Sequence, residues 1–137
     1  MWKLRLIFAA IYIVIDICYV ALSKGAYDNA VKMIQGSPMS GRIPAALAAY
    51  SCMAIGWYVF AAQTAERWAL QINPILAGFL SGFVYGLLVI GTFNFTLNAM
   101  FNKWSDGILK RDMLWGIGWG TLVTIIYIVL AKSKLTK

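Results

Sequence analysis

Histidine is absent from the 137 residues, and acidic side chains are scarce, with five Asp and Glu against twelve Lys and Arg. The missing histidine removes the commonest general base and metal ligand near neutral pH. Cysteine is almost as rare: Cys18 and Cys52 both fall inside apolar runs, where they read as small packing residues and not as a disulfide or metal pair. No nucleotide-binding loop, catalytic-triad spacing or zinc pattern occurs. We therefore expect no metal, no cofactor and no enzymatic role.

Charge of either sign is also short. With 12% charged residues, 61% hydrophobic residues and a mean hydropathy of +0.73, the chain lacks the polar surface needed to cover a soluble globule of this size. The composition is that of an integral membrane protein.

What is abundant is long apolar sequence. A bilayer core of about 30 Å takes roughly 20 apolar residues per helix, and four such runs lie at about residues 4–22, 45–62, 75–97 and 113–131. They lack the period-two alternation of a membrane β-barrel, and in lipid a lone span must satisfy its own backbone groups. The expected fold is an all-α membrane protein, a single four-transmembrane-helix bundle. The first run is longer than a signal-peptide core, contains Asp16 and is followed by Ser23-Lys24 in place of a small-residue cleavage site, so it reads as a retained helix.

Two connections are short. The third, between the first two spans, carries Tyr27, Ala30, Val31 and Ile34 at helical spacing and predicts a short amphipathic helix at the membrane surface. Pro44 and Pro74 fall at the starts of spans, where proline is tolerated.

The net charge of +7 is spread over every connection and both ends, which suits lipid headgroups better than nucleic acid. Four spans put both termini on one side with Lys3, Arg5, Arg67, Lys132, Lys134 and Lys137; Lys24, Lys32, Arg42, Lys103, Lys110 and Arg111 face the other. Six against six leaves the positive-inside rule undecided. The acids Asp28, Asp106 and Asp112, all on the far side, tilt the reading toward cytoplasmic termini.

Depth can be counted at about 1.5 Å per residue. On that scale Asp16, Tyr50, Ser51 and Thr92 reach a similar level in the far half of the bundle, with Thr96 beyond, and form an expected intramembrane polar cluster. At 100° per residue, Gly78, Gly82, Gly86, Thr92 and Thr96 share one broad face of the third span, which predicts an interior position for the two threonines. Asn94 and Asn98 fall opposite and read as an interface toward headgroups, another helix or another protein. The glycines, with Gly116 and Gly120 of the fourth span, form small-residue ridges suited to close helix packing. Asp112 reads as the cap of the fourth helix. Trp57, Trp68, Trp104, Trp115 and Trp119, with Tyr58 and Tyr127, read as interfacial anchors.

The runs GTFNFT, NKW, DMLWG and WGT resemble the small four-helix membrane proteins of domain-of-unknown-function family 2177. The usual pattern there is G-T-Y-D-L-T-N, a Trp, then D-x-x-W-G-T. Asp16 with Tyr19 is similar to that family's first-helix D-x-x-W. The resemblance covers Asp16 to Thr121 and implies that Gly91, Thr92, Thr96, Asp112, Trp115 and Gly116 are family-type positions. The chain departs from the pattern with Asn94 in place of Asp, Tyr19 in place of Trp, and Ile117 where Thr would follow Trp115-Gly116, although Trp119-Gly120-Thr121 offers a second register. Family members occur in bacteria, algae and large DNA viruses, and the resemblance transfers no activity.

Two functions follow as expectations. The first is a structural or interaction protein contacting membrane lipids and held in a larger membrane assembly or homo-oligomer, for example in a virus's internal membrane. The alternative is a small proton- or cation-coupled transporter or channel using Asp16, because an isolated ionised carboxylate within a span costs about 2.5 to 3.5 kcal/mol on insertion scales.

Overall fold

The computed structural model describes the backbone of residues 1–135 and the side-chain surroundings of residues 1–132. Of the basic residues counted above on the terminal side, Lys137 lies outside both ranges and Lys134 outside the second. The elements are α1 (Trp2–Leu22), α2 (Lys24–Gln35), α3 (Ile43–Trp68), α4 (Pro74–Met100) and α5 (Asp106–Leu135). All but α2 are long and apolar enough to cross a membrane. β-Branched stretches such as Ile11 to Ile17 would weaken a helix in water. In lipid they are helical because no other local conformation pairs every backbone group.

The helices overrun the apolar windows, furthest at two places. α3 continues past Ala62 to Trp68, and α5 begins at Asp106, well ahead of Met113. Hydropathy marks where a chain leaves lipid, whereas caps and backbone hydrogen bonds decide where a helix ends. Ser105 starts α5: its side chain accepts from the Ile108 N–H at 3.3 Å and its carbonyl accepts from the Leu109 N–H at 3.0 Å. Asn73 does the same for α4, accepting from the Ile75 N–H at 2.8 Å with Pro74 in the first turn. α2 stops at Gly36, whose φ of +76° is the left-handed value that glycine supplies without strain.

α1 packs between α3 and α5, and α4 lies between the same two on the other side, so the ring order is α1–α3–α4–α5. The main core is aromatic, built from Phe8, Tyr12, Trp57, Tyr85 and Tyr127 with small alanines between them. A smaller cluster joins Ala30 of α2 to Trp104 and Ile108 at the start of α5. α2 is thus fastened to the bundle by the apolar stripe expected of it, with Lys24, Lys32 and Met33 outward. Leu, Ile, Val and Phe side chains of every span remain outside, including Val14, Ile55, Leu88 and Val129, forming the apolar belt that lipid requires.

Two features shape the interior. Between Trp57 and Ala62, α3 runs as a π-helix, just after the point where the Tyr85 hydroxyl donates to the Met53 carbonyl. A side-chain donor entering the ladder is one way such a departure is held. Before it, Ile43 to Gly56 buries nothing; within it Trp57, Ala61 and Ala62 turn inward, and after it Ala65 and Glu66. Trp57 and Tyr127, expected as interfacial anchors, are fully buried core residues, and Trp57 donates to Thr124 Oγ1 at 3.0 Å.

The second feature is the α4–α5 seam. A Cβ added to Gly82 would meet the Gly120 carbonyl oxygen at 2.5 Å, and one added to Gly86 would meet the Gly116 oxygen at 2.5 Å. At Gly78 the nearest atom would be the Ile125 Cα at 2.7 Å. The two backbones lie closer than any side chain between them would allow.

Candidate functional site

Asp16 of α1 and Asp112 of α5 come together at one cavity of about 430 Å³. It lies beyond the aromatic core, toward the end covered by α2. Tyr19 and Val20 of α1, Tyr50 and Met53 of α3, Ile90 and Phe93 of α4, and Trp115 of α5 contribute walls, with Tyr27 of α2 and Met39 of the following loop. Every helix therefore takes part.

The acids are held differently. Asp112 is 3% exposed and fully engaged: Tyr19 donates its hydroxyl to Oδ1 and Tyr27 to Oδ2, both at 2.6 Å. Arg111 donates Nε to the Tyr19 hydroxyl at 3.1 Å, bringing a positive charge next to this group from the outer side. Its guanidinium also sits 5.8 Å from the Tyr19 ring and 5.9 Å from the Tyr27 ring. Burial, reinforced by the hydrogen bond to Asp112, holds the Tyr27 phenol above its ordinary value.

Asp16 is 6% exposed, and among the described residues it receives one protein hydrogen bond, from Trp115 Nε1 to Oδ1 at 3.0 Å. Trp115 is itself clamped: its ring stacks on Tyr19 at 4.5 Å and on Trp119 at 6.2 Å, and Trp119 in turn donates to the Tyr12 carbonyl at 3.1 Å. These two ring neighbours hold the indole with its Nε1 edge on Asp16. Oδ2 is left for whatever enters the cavity.

Of the expected polar cluster, Asp16 and Tyr50 line this cavity, while Ser51, Thr92 and Thr96 are exposed on the outside of the bundle. On α4 the assignments of Thr92, Thr96 and Asn94 are reversed, while Gly78, Gly82 and Gly86 are buried as expected. Asn94 is 0% exposed, and its Nδ2 donates to the Ile90 carbonyl at 3.4 Å. The reason is the path of the seam. Gly78, Gly82, Gly86, Ile90 and Asn94 are each four residues apart, and a row of that spacing drifts around an α-helix by about 40° per step. Sixteen residues on, it has reached the side that a fixed face assigns to lipid. Asn98 is exposed, as expected, but its Nδ2 reaches Asp106 Oδ1 at 3.4 Å across the α4–α5 connection. Asp112 is corrected too: with the helix starting at Asp106, it sits two turns inside and acts as an acceptor for tyrosines, not as a cap.

Sequence reasoning missed a third buried carboxylate. Glu66, 8% exposed, receives both Nε and an Nη of Arg5, the former at 2.7 Å to Oε1, together with the Tyr127 hydroxyl. Arg5 also lies 5.4 Å from the Tyr58 ring. The available signal was scarcity: Glu66 is the one glutamate among five acids, and it stands at the edge of a span where a charge needs a partner. Among the described residues no cluster of three or more acids and cysteines suits a metal ion.

Four membrane-length helices around an acid-bearing cavity define a multi-pass membrane protein whose polar centre is internal. The chain belongs to the family described as predicted membrane protein (DUF2177), which matches residues 1–129. Comparison with curated proteins and with solved structures finds no match. Among the positions that the family resemblance pointed to, Asp16, Tyr19, Asp112 and Trp115 meet at the cavity, Gly116 lies in the α4–α5 seam, and Thr92 and Thr96 face outward.

Proposed function

We propose that this protein binds a cation in the Asp16 cavity and moves it through the membrane, as a small transporter. The observation that carries the reading is the unequal treatment of the two acids. Asp112 has two phenol donors and Arg111 close by, whereas Asp16 has one neutral indole donor. No Lys or Arg among the described residues lines the cavity. A carboxylate so placed needs an external positive charge or a proton, and a cavity is where one would be supplied.

Purified protein in liposomes tests this directly. Asp16→Asn keeps an oxygen acceptor for Trp115, so the bundle should melt close to the wild-type temperature while cation-dependent dissipation of a pH gradient, or cation uptake itself, is lost. Flux unchanged by the substitution would end the transporter reading.

A second reading, of an assembly or homo-oligomer component, draws on Thr92 and Thr96. They are one turn apart on the exposed face of α4, and small hydroxyl residues at membrane depth favour contact with another helix. Native mass spectrometry of the gently extracted complex separates the cases: stoichiometric foreign subunits support assembly, and a bare monomer removes this second reading.

A further inference from the structure

Resting on the reading of the Asp16 cavity as a cation site, we infer that its occupant is a monovalent organic ammonium ion. The charged head would sit at Asp16 and the apolar body against Tyr50, Phe93, Met53, Val89 and Ile90. Three observations select this class over an inorganic cation.

The first is size. About 430 Å³ falls within the range of small-molecule pockets, roughly 300 to 1,000 Å³, and is far more than one dehydrated metal ion fills. The second is ligand chemistry. Hard inorganic cations take six or more oxygen ligands, but here both Asp112 oxygens are already engaged by phenols, leaving Asp16 Oδ2 as the free carboxylate oxygen. Asp112 has Arg111 close by through Tyr19, so the unmatched negative charge at the cavity is that of Asp16, and it matches one positive charge.

The third is the wall. Apart from its acids and the phenol hydroxyls of Tyr19, Tyr27 and Tyr50, the lining is aliphatic, thioether and aromatic. Trp115 already stacks on two other rings, but Tyr50 of α3 and Phe93 of α4 also line the cavity. Aromatic faces attract a desolvated ammonium, and the attraction falls away for a neutral group of the same shape. An alkyl or aryl body on the ammonium would cover the apolar wall that an inorganic ion would leave against water.

The test uses the full chain in lipid nanodiscs with radiolabelled benzyltrimethylammonium. Its neutral isostere neopentylbenzene and unlabelled sodium and potassium serve as competitors. We expect saturable binding, displaced by unlabelled benzyltrimethylammonium and resistant to the other three. Asp16→Asn should weaken it about tenfold or more, and Tyr50→Ala or Phe93→Ala by about three- to tenfold. Tyr50→Phe, which keeps the ring, should bind as the wild type does. Each variant is compared at equal thermal stability, and Tyr50 and Phe93, only partly enclosed, provide readouts even if a substitution at Asp16 disturbs folding.

If neopentylbenzene competes equally, or if all these substitutions leave binding unchanged, the ammonium assignment is overturned. If the organic ion does not bind but sodium or potassium flux depends on Asp16, the assignment fails while the transporter reading stands. If neither ion class binds or moves in an Asp16-dependent way, both fall.

Discussion

At the scale of single residues, the contrast between Asp16 and Asp112 shows that a carboxylate's role in a span is set by its donors more than by its depth. Tyr27 belongs to the surface helix and offers a direct check, since its phenol is held above its ordinary value. A raised value means that the contribution to stability is complete below the unfolded-state value of about 10 and is lost as pH climbs from there through the folded-state value. Tyr27→Phe should therefore lower stability by about 1 to 2 kcal/mol at neutral pH. The gap from wild type, followed by thermal unfolding in detergent, should stay level to about pH 9.5 and narrow above about pH 10. A gap that narrows between pH 6 and 9 would mean that another group controls the contact. Asp16 was legible in the sequence because a lone acid in an apolar run has few bland explanations. Its donor was not, because Trp115 at a span end reads equally well as a lipid anchor until tertiary contacts are known.

Among elements, the α4–α5 hairpin holds the bundle by backbone approach, and its tolerance of added atoms differs sharply between glycines. Gly86→Ala would drive a Cβ into the Gly116 carbonyl and should destabilise by about 1 to 3 kcal/mol. Gly118→Ala meets nothing within 4 Å and should be neutral or slightly stabilising. Equal behaviour of the two in detergent melting would show that the seam is looser than drawn. The glycine ridges were legible because four-residue spacing is a local pattern. The fate of Thr92 and Asn94 was not, because it depends on the angle at which two helices cross, and a fixed 100° wheel holds the buried face straight while the seam winds. The start of α5 escaped for a different reason: Ser105, its cap, lies outside the apolar window that marked the span.

For the whole molecule, the spans and the surface helix followed from composition and periodicity, but the ties between distant parts of the chain did not. Arg5 and Glu66 are separated by 61 positions, and nothing local announces the pair. Removing Arg5 should cost about 3 kcal/mol, because it leaves a buried carboxylate with only Tyr127. Arg5→Ala combined with Glu66→Gln should cost clearly less than the sum of the two single changes. Additive losses in a thermal-unfolding cycle would show that the two groups act independently. The same tie fixes the terminal end of α1 against α3 and α5. The cavity at the other end of α1 is walled by the same three helices together with α4, α2 and the loop after it, so the bundle is closed by an ion pair at one end and holds its cavity at the other.

The π-helical stretch of α3 carries a consequence for how sequences of this kind diverge. The wider π turn takes up about one extra residue, so losing one between Trp57 and Ala62 would restore regular α spacing with all that follows still on its present face. Glu66 would still meet Arg5 and Tyr127. A one-position gap in the regular turn between Gln63 and Glu66 would instead rotate the acid by about 100° away from both partners, and would have to arrive together with loss of the acid or of its arginine, tying an indel in the second span to the identity of a residue in the first.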